Sequence, residues 1–131
     1  MLKPEWRFLS YAVGGKCSIT AWLSDLSSRV DAAFQVRLDL LKVTLLWNRK
    51  HCVPLKGRKL EGLWEIRFKA DDVQHRVIGF QRANREFVML IGCRHKQNVY
   101  DPHSALTTAV DRMNAVNEGK AEVRDYESEC S

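Results

Sequence analysis

The chain has 131 residues, 45% hydrophobic and 28% charged, with a formal net charge of +5. That length suits one domain around one core, and the apolar fraction excludes a disordered chain. No run of 18 apolar residues occurs, which excludes a membrane-spanning helix, and residues 1–7 lack the apolar stretch of a secretion signal. The basic excess points to a polyanionic partner. Cys17, Cys52, Cys93 and Cys130 lie far apart without a Cys-x-x-Cys pair, and predict reduced thiols in a cytoplasm.

The charge is unevenly placed. Residues 118–131 hold five acids against two bases, which leaves residues 1–117 at +8. The short segment reads as a disordered acidic tail on a domain spanning 1–117; folding over the basic face is its alternative. Residues 49–59 contain five cations, one histidine and no acid. Pro54 and Gly57 put them on a loop, where binding groups collect, although a solvated surface would look the same.

In chain order, Trp6, Phe8 and Tyr11 predict a strand ending at Gly14 and Gly15. Ser18 is the expected cap of a helix with Ile19, Trp22, Leu23 and Leu26 on one face. After Ser27 and Ser28 a second helix turns Val30, Phe34, Leu38, Leu41 and Leu45 inward, with Asp31 in its first turn. The pair forms an αα-hairpin. Past the basic loop the period changes from 3.6 to 2. Trp64, Ile66 and Phe68 take one face of a strand, and Glu65, Arg67 and Lys69 the other. Asp71 and Asp72 make a turn into a strand over 74–81, where Arg76 is in phase with Ile78 and Phe80. Ala83 and Asn84 close the next hairpin. The apolar run over 87–94 is a central strand buried on both faces. Asp101 as cap and Pro102 as first residue start a last helix. Leu106, Ala109, Val110, Met113 and Val116 form its inner face, and Gly119 stops it. The predicted order is β-α-α-β-β-β-α: an α+β domain, an antiparallel meander carrying helices.

Several segments together resemble the phage-derived RelE/HigB-like toxins. Lys59-Leu60 followed by Gly62-Leu63-Trp64-Glu65-Ile66-Arg67-Phe68 is similar to the family's K-x-L-x-x-G-L-W/Y-E-L-R signature. Arg76-Val77-Ile78-Gly79-Phe80 resembles its next strand, and Ile91-Gly92-Cys93-Arg94-His95-Lys96 with Pro102 resembles its HGFxKK segment. Ala109 and Arg112 occupy the places of its last helix, and Trp22-Leu23-Ser24-Asp25-Leu26 those of its first. His95 replaces the first paired lysine, Cys93 an aromatic and Gln97 a threonine, and one extra residue precedes Pro102. The resemblance covers about residues 6–117. It implies a bacterial or prophage type II toxin, a ribosome-dependent mRNA endoribonuclease of RelE-like fold in the cytoplasm. Its implied partners are a cognate antitoxin, commonly helix-turn-helix, and the ribosome with its message.

Metal-free RNA cleavage requires deprotonation of the 2′-OH, stabilisation of a charged phosphorane and protonation of the 5′-oxygen. Arg67 and Arg76 are candidate phosphate clamps, since guanidinium binds phosphate bidentately; the structural alternative is a salt bridge to Glu65 or Asp72. His95 titrates near neutrality and is the candidate general acid or base, against a plain surface role. Lys96 would complete the cationic cluster. Tyr100 could stack on a base or pack on the sheet rim, and His103 follows it. Arg49, Lys50, Lys56, Arg58, Lys59 and Arg94 are expected to touch RNA backbone, while Trp64 reads as core. Zinc held by His51-Cys52 and Cys93-x-His95 is disfavoured by spacing, so no metal or cofactor is expected. A catalytically silent RNA- or protein-binding module is the competing reading.

Overall fold

Two-residue periodicity and helical spacing become an eight-stranded mixed sheet between helices in the computed structural model, which describes residues 5–130. The elements are β1 (Arg7–Val13), β2 (Lys16–Cys17), α1 (Ser18–Ser24), α2 (Ser28–Lys42), β3 (Cys52–Pro54), a 3-10 turn (Arg58–Leu60), β4 (Leu63–Ala70), β5 (Val73–Arg82), β6 (Glu86–Lys96), β7 (Val99–Asp101), α3 (Ala105–Asn117), β8 (Glu122–Asp125) and α4 (Tyr126–Glu129). The strand order is β2-β1-β6-β5-β4-β3, with β7 on β6 and β8 on β1. The domain is α+β, as expected, and β4, β5 and β6 form the antiparallel meander. The first strand makes the sheet mixed by running parallel to β6, Phe8 opposite Phe87.

Turn chemistry fixes the meander. Asp71-Asp72 and Gln97-Asn98 take positive φ in two-residue hairpins, and Asn84-Arg85 do so within the three-residue connection 83–85, a backbone that Asn and Asp tolerate best. Both sheet faces are covered. Ile66 and Phe68 of β4 join Phe8, Phe87 and Met89 under Ile19, Phe34, Leu38 and Leu41 of the two N-terminal helices. Leu63, Ile78, Phe80, Val88 and Leu90 face Ala105 and Ala109 of α3. The approach of α1 to the sheet is close: a β-carbon at Gly92 would lie 2.1 Å from the Trp22 ring. Glycine is there because the indole occupies that space.

Several expectations need correction. Four short strands, β2, β3, β7 and β8, extend the sheet beyond the expected four. Cys17, not Ser18, is the N-cap of α1. The second helix ends at Lys42, so Leu45 lies outside it and is exposed. Its last carbonyls are taken by side-chain donors, with Thr44 Oγ1 on Leu40 and Trp47 Nε1 on Leu41. The last long helix starts at Ala105 with Ser104 as N-cap, three residues later than Asp101-Pro102 suggests.

The acidic segment is neither disordered nor folded over the basic residues. Residues Leu9, Ser10, Tyr11 and Ala12 of β1 pair with Asp125, Arg124, Val123 and Glu122 of β8. Asp125 then caps α4 and pairs with Arg7 at 2.6 Å, and Glu127 reaches Lys42 at 2.9 Å. This is the β1 edge of the sheet; the basic segment joins the opposite edge through β3. Composition misled because these acids answer cations distant in sequence. The same return overturns the reading of four reduced thiols: Cys17 and Cys130 are bonded to each other, while Cys52 and Cys93 are free and buried.

Two outcomes follow. Gly92→Ala should destabilise the domain by roughly 1–3 kcal/mol through overpacking, read as a lower urea midpoint at unchanged slope; wild-type stability would refute the contact with Trp22. Closing a loop with sequence separation 113 constrains the unfolded chain by roughly 4–5 kcal/mol on entropy grounds. Reduction should therefore lower the melting temperature of the wild type and leave Cys17→Ser unaffected.

Candidate active site

The meander register lines up side chains that are distant in sequence. Arg67 lies opposite Arg76, and Arg76 opposite Cys93. One step along, Lys69 faces Gln74, Gln74 faces His95 and His95 faces Tyr100. Opposed residues share a sheet face, and alternation adds Glu65 to it. This is the face that carries α3, whose core ends at Ile78 and Cys93. Beyond the helix, the charged rows are left uncovered on one side.

At their centre is Glu65, 2% exposed. Its Oε2 accepts from Arg67 Nε at 2.6 Å and lies 3.5 Å from Arg76 Nε. Its Oε1 accepts from the Tyr100 hydroxyl. Arg76, 8% exposed, also donates from Nη1 to the His75 carbonyl at 2.9 Å. Its Nε is buried without a hydrogen-bond partner among the described residues. Both arginines thus take the ion-pair alternative, and both with Glu65. Asp72 is instead 3.9 Å from Lys69.

His95 stands beside this cluster, its ring 4.8 Å from that of Tyr100. Burial, then repulsion from Arg76 and Arg67, lowers its pKa below the ordinary value against the opposing pull of Glu65. The imidazole is therefore neutral at pH 7 and free to accept a proton. Burial and Glu65 raise the Tyr100 phenol, which stays protonated. Burial pushes the Cys93 thiol up to about 12 and makes it a poor nucleophile.

Arg67, Arg76, His95 and Tyr100 are thus brought together around Glu65, which the sequence reading named only as a salt-bridge alternative and not among the candidate site residues. The available signal was a carboxylate at i−2 from an arginine, diagonal to a second arginine one strand away. Lys96 does not join them: it alternates to the other face, as does Arg94, which pairs with Asp101. Both border, with Gln74 and His95, a cavity of about 530 Å³ at the end of the sheet. Lys50 lines a cationic groove of about 300 Å³ with Arg67 and Arg76. Arg49, Lys56, Arg58, Lys59 and His103 are exposed and lie outside both recesses. The basic stretch is also not one loop, since Cys52–Pro54 pairs with Ile66, Glu65 and Trp64. Trp64 packs against the core beneath the N-terminal helices.

Among the described residues no group of three or more His, Cys, Asp or Glu gathers as a metal site, and none of the helices is long and apolar enough to cross a membrane. Comparison with known proteins gives one family model, Phage derived protein Gp49-like (DUF891), matching residues 21–114. No curated protein and no solved structure matches the chain significantly. The matched span holds α2, the whole meander and most of α3, and on that basis the chain belongs to the phage-derived Gp49-like family.

Proposed function

We propose that this protein is the toxin of a type II toxin–antitoxin pair, a RelE/HigB-like mRNA endoribonuclease that arrests translation. Membership of a phage-derived family often linked to such toxins supports the reading. The observation that carries it is the buried Glu65 carboxylate holding Arg67, Arg76 and Tyr100 together beside a neutral imidazole. Such an array suits phosphodiester cleavage by an internal hydroxyl. His95 accepts the proton of the ribose 2′-OH as its oxygen attacks phosphorus. Arg67 and Arg76, already oriented by Glu65, meet the charge that develops on the phosphorane, where preorganised donors matter most. The 5′-oxygen leaves and takes a proton from solvent, and the products are a 2′,3′-cyclic phosphate and a 5′-hydroxyl. On this reading the protein acts in the bacterial cytoplasm on message in the ribosome and is held inactive by a cognate antitoxin, commonly a helix-turn-helix protein.

One observation favours a second reading, a silent RNA- or protein-binding module. Glu65 already neutralises much of the arginine charge, as a purely structural cluster would.

The two separate by product. Expression without an antitoxin should arrest growth and leave message fragments ending in 2′,3′-cyclic phosphate; ribosome association without those ends indicates the module. Arg76→Ala should reduce single-turnover cleavage by roughly 10²–10³-fold and relieve the arrest. The pH dependence has a definite sign. A base whose pKa lies below 6.5 is fully active at neutral pH and loses activity as pH falls through that lowered value. Cleavage should therefore hold its plateau through neutral pH and drop only as pH falls through that lowered value, with the acidic limb missing in His95→Ala. A rate that rises toward acid would instead make His95 the proton donor.

A further inference from the structure

The cationic groove beside the arginines is built from elements distant in sequence. Arg37 comes from α2, Lys50 from the turn before β3, Arg67 and Lys69 from β4, and Gln74 and Arg76 from β5. Five of these six side chains are cations. The carboxylate beneath them, Glu65, is committed to Arg67 and Arg76, and Asp72 lies 3.9 Å from Lys69. Among the described residues neither Arg37 nor Lys50 has a carboxylate within ion-pairing distance. Arg37 Nη1 is buried in this groove without a hydrogen-bond partner among the described residues, whereas Arg76 Nε faces Glu65 Oε2 at 3.5 Å. Buried donors left unpaired are costly and uncommon, and an unplaced ligand is one accepted reason for them. The acceptors that suit a fork of guanidinium donors are the oxygens of an anion such as phosphate.

The sheet order gives the groove a direction. His95 and Tyr100 lie on the β6–β7 side of Arg76, whereas Arg37, Lys50 and Lys69 lie on the β4 side. A single strand crossing the reacting centre from β7 toward the free part of β4 runs out into this groove. We infer that Arg37, Lys50 and Lys69 form a second phosphate subsite, which holds the backbone phosphate next to the one clamped by Arg67 and Arg76. This rests on the endoribonuclease reading of the site, and it adds α2 to the RNA-contacting surface. The convergence of Arg37 and Lys50 is also felt by His51, whose pKa burial and then these two cations lower.

The test uses a five-nucleotide RNA with 2′-O-methyl ribose throughout, which binds but cannot be cleaved by its own hydroxyls. Affinity is read by fluorescence anisotropy over a range of salt. Arg37→Gln and Lys50→Gln should each weaken binding by roughly three- to tenfold at low salt. Each should also lower the slope of log affinity against log salt by about 0.7, the value for one single-strand phosphate contact. Lys16→Gln, a charge removed from β2 at the far edge of the sheet, should leave the slope unchanged. Thermal melts establish that each variant is folded. If wild type and Arg37→Gln bind alike, or if Lys16→Gln matches Arg37→Gln, the subsite is overturned while the cleavage reading stands. If wild type fails to bind the RNA and also fails to cleave message on ribosomes, both readings fall together.

Discussion

The Glu65 carboxylate is the constraint around which this molecule is arranged. A carboxylate at 2% exposure is tolerated only with charged and hydrogen-bonding partners close at hand. Glu65 has three, one on its own strand, one on β5 and one on β7. The two on other strands, Arg76 and Tyr100, bind the registers of β5 and β7 to that of β4, because a one-residue slip would carry them to the opposite face. Removing Glu65 would therefore leave Arg76, itself 8% exposed, as a buried cation without its counter-charge. The ion pair and the candidate chemistry are the same object: what keeps the guanidinium groups in place for folding also presents them, already oriented, to a phosphate.

The two sheet edges are handled differently. At the β1 edge, β8 covers the backbone groups that would otherwise be open to foreign strands. There the acids of the C-terminal segment are spent on Arg7 and Lys42, and the Cys17–Cys130 bond closes the seam. At the other edge β3 and its neighbours His51 and Leu55 cover β4 from Leu63 to Arg67. Lys69 and the end of β4 stay open, and the groove lies there. Closure at one edge and cationic exposure at the other give the domain its polarity, with the acidic segment placed where it does not compete for the basic face.

The meander and α2 were legible in the sequence because each rests on a local rule: alternation in 63–69, the 3.6-residue spacing of Val30, Phe34, Leu38 and Leu41, and Asp or Asn at the turns. What escaped was non-local. The short strands have too few residues to carry a period, and β8 exists only because β1 offers it an edge. The Cys17–Cys130 pair is invisible to any spacing rule, as its two halves meet only through that pairing. Among the candidate site residues, those on the alternating strands were placed together and those chosen for charge alone were scattered. Lys56, Arg58 and Lys59 are such cases. Glu65 is the opposite case: alternation gave its face and charge gave its partners, but its burial depends on cover from elements distant in sequence.

The burial of Glu65 shows what the site requires. A face alternating Glu65, Arg67 and Lys69 would be ordinary solvent-exposed sheet if nothing covered its neighbours. Here α3 begins at Ala105 and covers the apolar rows up to Ile78 and Cys93, so the first charged row lies in the shadow of the helix and the last in water. Burial grades accordingly, from Glu65 to Arg76 to the 40% exposed side chain of Arg67 and on to exposed Lys69. Low dielectric at the inner end strengthens the hold of Glu65 on its partners, and the open outer end leaves room for a polyanion to approach. The same gradient passes His95, whose imidazole is dry enough to be neutral and near enough to solvent to exchange its proton. One gradient of burial therefore accompanies both the proton state of the candidate base and the grip of Glu65 on the candidate clamp.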